Sequence, residues 1–142
     1  MSDQSQKMNI PIPSRQISDE QVEEYRAVYD DLIGFVPPRI RARTDLLARI
    51  DPELLEMHEK LREYCMYPKA LDTKTAQLML WGIMLTQLNA AARFHGIAAL
   101  RAGATLDELS AVVNLVFLFR GLSAANLGAE LIQNMIREDD VP

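Results

Sequence analysis

His95 and Arg120 are the two side chains of this 142-residue chain whose neighbours in sequence give them chemical potential. Stepping by threes and fours from Leu78 reaches Trp81, Leu85, Leu88, Ala92, His95, Ala99 and Ala102, so one continuous helical face would carry an imidazole among apolar residues. No Asp or Glu lies between Lys74 and Leu106, which leaves His95 the only side chain of that segment able to exchange a proton near neutral pH. Burial among Leu and Ala lowers a histidine pKa. The ring is then neutral and can accept a proton, or donate one after an acidic substrate has bound. The competing reading is a core histidine bonded to a backbone carbonyl, or one placed at a subunit contact. Arg93 projects about 160° away from His95 at about 100° per residue, so the two side chains need not meet. From Leu106 the same stepping passes Leu109, Val113 and Val116 and ends on Arg120. A guanidinium buried on that face requires an anion, because leaving it desolvated and unpaired is costly. The anion is either a substrate carboxylate or an acid of a neighbouring helix or subunit, with Glu130, Glu138, Asp139 and Asp140 as candidates.

The elements that must hold these groups are helices. Ser18 can cap a helix that carries Val22, Tyr25, Val28, Tyr29 and Leu32 on one face and stops at Gly34. Pro37 and Pro38 force a turn, and a short basic helix over 39–50 follows. Asp51 and Pro52 then read as N-cap and first residue of a helix bearing Leu54, Leu55, Met57, His58, Leu61 and Tyr64. Asp72 or Thr73 caps a long helical region that runs to Ala102 and ends at Gly103. Thr105 and Glu108 have capping-box spacing for a helix through Phe119 or Arg120, and Gly121 separates it from a last helix through Ile136. No stretch alternates with period two. The prediction is an all-α fold of six or seven helices, with a flexible arm over 1–17 and one domain over 18–142.

Composition limits the function. Apolar residues make up 49% of the chain and aromatic residues 6%, which describes a globular domain filled by aliphatic side chains. The net charge of −5 gives no electrostatic reason to approach nucleic acid or an anionic membrane surface. Cys65 is the single cysteine, so two-thiol redox chemistry within one chain is excluded and a cytoplasmic location is expected. Cys65 itself reads as a packing residue, and His58, with Glu59 and Arg62 on its helix, as solvated surface or an interface. Two histidines without carboxylates at ligand spacing predict no metal site.

The runs Leu71-Asp72-Thr73-Lys74-Thr75, then His95, then Gly103-Ala104-Thr105-Leu106-Asp107-Glu108-Leu109, then Gly121-Leu122-Ser123-Ala124-Ala125-Asn126 resemble the carboxymuconolactone decarboxylase family over roughly residues 51–132. The resemblance implies a compact all-helical subunit of the carboxymuconolactone decarboxylase and alkylhydroperoxidase-D-like type, assembled as a ring-like homotrimer or homohexamer. It also implies a functional histidine at His95. The peroxidase-like branch places cysteines seven and four residues before this histidine, where this chain has Leu88 and Ala91, and a glutamate where it has Ala76 or Gln77. The decarboxylase-like branch lacks those cysteines and needs no cofactor. It often carries acids just before the histidine, whereas this chain has Ala90, Ala91 and Arg93. Ser123 and Arg120 also depart from a frequent proline and a small residue.

Together these readings predict a cofactor-independent lyase that decarboxylates a small cyclic carboxylate or lactone. His95 moves the proton, Arg120 holds the anion with Arg93 as a second candidate cation, and Trp81 and Leu88 form an apolar wall. An isomerase or hydratase acting on an aromatic breakdown product or a secondary metabolite uses the same proton transfer at carbon. A non-catalytic, ligand-binding helical oligomer is the third expectation.

Overall fold

The computed structural model describes residues 15–138, which form seven helices and no strand. Expectations that fall on residues 1–14, on Asp139 and on Asp140 lie outside them. α1 (Asp19–Ile33) begins where the Ser18 hydroxyl accepts the backbone N–H of Gln21, and it ends at Gly34, whose φ of 86° is the left-handed conformation glycine adopts freely. α2 (Pro38–Ile50) and α3 (Pro52–Met66) meet at Asp51, which closes the first and caps the second through the N–H of Leu54. α4 (Thr73–Thr86) is capped by the Asp72 carboxylate on the N–H of Thr75. α6 (Leu106–Arg120) opens with a reciprocal capping box between Thr105 and Glu108, and α7 (Leu122–Arg137) follows directly after Gly121.

The long helix expected over 73–102 is two helices. α4 stops at Thr86 and α5 spans Ala92–Arg101. Leu88 takes φ 51°, its N–H donates to the Leu85 carbonyl at 3.0 Å, and the Asn89 N–H donates to the Met84 carbonyl at 3.1 Å. This is a Schellman ending, with a leucine at the left-handed position that glycine usually fills. Asn89 then starts the next helix by accepting the Ala91 N–H on its side-chain oxygen at 2.9 Å. With no Gly or Pro between Thr86 and Ala92, the apolar spacing reads straight through a turn that backbone hydrogen bonds make.

α4 packs on α5 and α6, α6 packs on α7, and α1 lies against α5. Their shared core contains Trp81 and Leu85 from α4, Ile97 and Ala99 from α5, Leu109 and Val116 from α6, and Leu131 and Met135 from α7. α2 pairs with α3, and with α1 they enclose a smaller cluster of Val22, Leu47 and Leu55. Ile17 packs on that cluster and Arg15 pairs with Glu56 of α3. Met66, the last residue of α3, reaches the main core and ties the two clusters together.

Candidate functional site

The turn over 87–91 makes the site. In a continuous helix Gln77 and His95 would stand about 27 Å apart at 1.5 Å per residue. Here His95 Nδ1 lies 2.9 Å from Gln77 Oε1. Gln77 is fully buried near the start of α4, and its Nε2 donates to Met66 Sδ at 3.1 Å. The buried Gln77 amide thus links Met66 of α3 to the His95 imidazole of α5. Gly96, the next residue along, permits the close approach. A Cβ there would lie 2.9 Å from Met135 Cε and 3.3 Å from Trp81 Cε3.

His95 is half-buried, and that burial, with the nearby Arg62 guanidinium acting in the same direction, pushes its pKa down to about 4. At neutral pH the ring is uncharged and has a lone pair to offer. Arg62 lies one turn before Met66 on α3, with its guanidinium carbon 3.7 Å from the centroid of the Tyr29 ring. Tyr29 is itself held in a network. Its hydroxyl donates to Glu59 Oε2 at 2.8 Å and accepts from Arg43 Nη2 at 3.0 Å, and Arg43 pairs with the buried Glu59 carboxylate. Burial, reinforced by Glu59, pushes the Tyr29 phenol up to about 12, so it stays protonated and able to donate. Glu59 therefore offsets Arg43, whereas Arg62 has no ion pair among the described residues. On the outer side of Arg62 a depression of about 340 Å³ is bounded by Arg43, His58, Leu61, Arg62 and Cys65.

The other residues predicted from sequence lie elsewhere. Arg120 is exposed where burial was expected, because it is the last residue of α6 and extends past the Leu109, Val113 and Val116 face that packs. Its Nε donates to the Thr86 carbonyl at 3.1 Å and so satisfies the C-terminal end of α4, not a carboxylate. Arg93 pairs with Glu138, an acid expected for Arg120. Trp81 is completely enclosed, with Nε1 donating to the Leu109 carbonyl at 3.2 Å, and offers no surface to a ligand within this subunit. Leu88 is partly exposed at the turn.

Cys65, expected to pack, is exposed, and Glu59 is buried. Among the described residues no group of three or more His, Cys, Asp or Glu could hold a metal ion, and no helix is long and apolar enough to cross a membrane. Gln77 and Arg62 were missed as site residues. A signal for Gln77 existed, since the family resemblance puts an acidic position at Ala76 or Gln77. Arg62 had none, because its electrostatic effect on His95 depends on how α3 docks.

Chemically, the arrangement is an uncharged imidazole fixed at one nitrogen, within the electrostatic reach of a guanidinium, Arg62, that forms no ion pair among the described residues. It can bind a small anion at Arg62 and move a proton at His95. The model of the carboxymuconolactone decarboxylase family matches residues 52–133, more than half of the chain and all of α3 to α6. No curated protein and no solved structure matches the chain.

Proposed function

The chain belongs to the carboxymuconolactone decarboxylase family, and from that premise we propose that it is a cofactor-independent lyase releasing carbon dioxide from a small cyclic carboxylate or a lactone-derived acid. The observation that carries this reading is the His95 ring held at Nδ1 by the buried Gln77, with burial and the field of the Arg62 guanidinium both keeping it uncharged. A carboxylate bound at Arg62 offsets the guanidinium and draws a proton from water onto His95, reversing the part of the shift that Arg62 imposes. The C–CO₂ bond then breaks, and its electron pair moves into an enolate that Arg62 stabilises. The imidazolium delivers its proton to carbon and returns to the neutral state. The net change is one carboxylate and one proton converted into one carbon dioxide and a C–H bond.

A specific observation also favours isomerisation. The ring is bonded at Nδ1 and uncharged at rest, so its other nitrogen keeps a lone pair that can take a proton α to a carbonyl once a bound anion raises its basicity, and return it at another carbon without loss of carbon dioxide. Incubating the protein with β-keto and lactone carboxylates while measuring substrate loss and carbon dioxide together separates the two. Release of one carbon dioxide per substrate is the expected result. Turnover without carbon dioxide would make the chain an isomerase, and the absence of turnover across the panel would contradict both. In the same assay Arg62→Gln is expected to raise KM for carboxylates by about 10-fold or more, the scale of one lost charge-assisted contact.

A further inference from the structure

We infer that Gln77 is a positioning residue that holds His95 in its Nδ1–H tautomer and leaves Nε2 as the nitrogen that works on the substrate. The inference follows from hydrogen-bond accounting around a side chain with no exposure to water. Gln77 is fully buried and its amide has two ends, one 2.9 Å from His95 Nδ1 and the other 3.1 Å from Met66 Sδ. A thioether can only accept, so the NH₂ end belongs at Met66 and the carbonyl oxygen at His95. Rotating the amide by half a turn would set its oxygen against the sulfur, two acceptors with no proton between them, at a site where water cannot help. With the oxygen facing Nδ1, that nitrogen must carry the proton. No buried side-chain polar atom is left without a partner in this arrangement.

Met66 thereby acts on the imidazole through Gln77. It fixes the amide, the amide fixes the tautomer, and the tautomer selects the reactive atom. The amide is also neutral. A carboxylate at this position would favour the imidazolium, whereas glutamine stabilises either charge state of the ring only as a hydrogen-bond acceptor. This chain therefore keeps a base at rest, charged only when an anion arrives. The catalytic consequence rests on the proposed function, but the tautomer does not, and it is read without substrate.

The experiment is ¹⁵N NMR of the protein labelled at histidine, at about pH 7, with a His58→Gln variant assigning the two rings. The expected His95 spectrum has a protonated, pyrrole-type Nδ1 and a pyridine-type Nε2. An Nε2–H tautomer in the unmodified protein would overturn the inference whatever the enzyme turns over. Gln77→Leu is expected to lose the Nδ1–H preference, and an unchanged tautomer in a folded Gln77→Leu chain would also overturn it. If that variant does not fold, Gln77→Glu takes its place. It keeps the acceptor, so Nδ1–H should persist while the titration midpoint of His95 moves up, and a midpoint that does not move would contradict the contact.

Discussion

At the scale of the residue, His95 ties stability to pH. Its folded-state pKa of about 4 lies below the ordinary value of 6.5, so between the two the unfolded chain binds more protons and stability rises with pH. The contribution is complete above 6.5 and is lost as pH falls through the folded value. At about 1.4 kcal/mol per unit it amounts to about 3 kcal/mol. Urea unfolding at about pH 7 and about pH 4 should therefore show a smaller loss of stability in His95→Gln than in the unmodified protein, and equal losses would contradict a neutral, buried ring. His95 could be singled out in the sequence because acids are absent around it. Gln77 was marked only through the family resemblance and Arg62 not at all, since their surroundings come from other helices: Gln77 meets Met66 and His95, 11 and 18 residues away, and Arg62 lies over Tyr29. The burial of Glu59 has the same origin. The groups that bury it, Tyr29 and Arg43, come from α1 and α2.

At the scale of the element, caps were the readable feature. Ser18, Asp51, Asp72 and the Thr105–Glu108 box all act where their spacing predicted, because a cap is local and its hydrogen bond spans three residues. The α4–α5 turn was hidden because Leu88 stands at the left-handed position where a glycine would have announced it. Asn89, ahead of Ala91, was the remaining clue. Close helix packing rests on the small residues of α5 and α7. A Cβ on Gly128 would come within 2.6 Å of Val113 Cγ2 and 3.4 Å of Leu85 Cδ1, so α7 could not keep its distance from α6 and α4. Gly128→Ala should destabilise the fold by about 1–3 kcal/mol, the usual penalty for overpacking. A shift in the midpoint of chemical denaturation checks this, and an unchanged or raised midpoint would mean that α7 moves aside at no cost.

At the scale of the whole molecule, the largest unexplained feature is apolar surface. A groove of about 460 Å³ between α4 and α6 is lined by ten residues without a titratable side chain, among them Met79, Ile83 and Leu115. Beside it Phe119 is 92% exposed and Leu118 69%, more than a lone subunit normally shows to water. We propose that a second copy of the chain covers this face, since no charged residue lies between Glu108 and Arg120 to favour a charged partner. Sedimentation equilibrium should show a trimer or hexamer that Leu115→Glu dissociates, and a monomer at micromolar concentration would refute the proposal. Within the chain, the α4–α5 turn brings Gln77 to His95, and Met66 of α3 holds the Gln77 amide. The direct measurement is turnover per folded molecule in His95→Gln, set against its thermal midpoint. Loss of proton exchange should lower turnover by about 10²- to 10⁴-fold with the midpoint nearly unchanged at pH 7. Full turnover in that variant would make His95 a core residue and leave the site without its proton carrier.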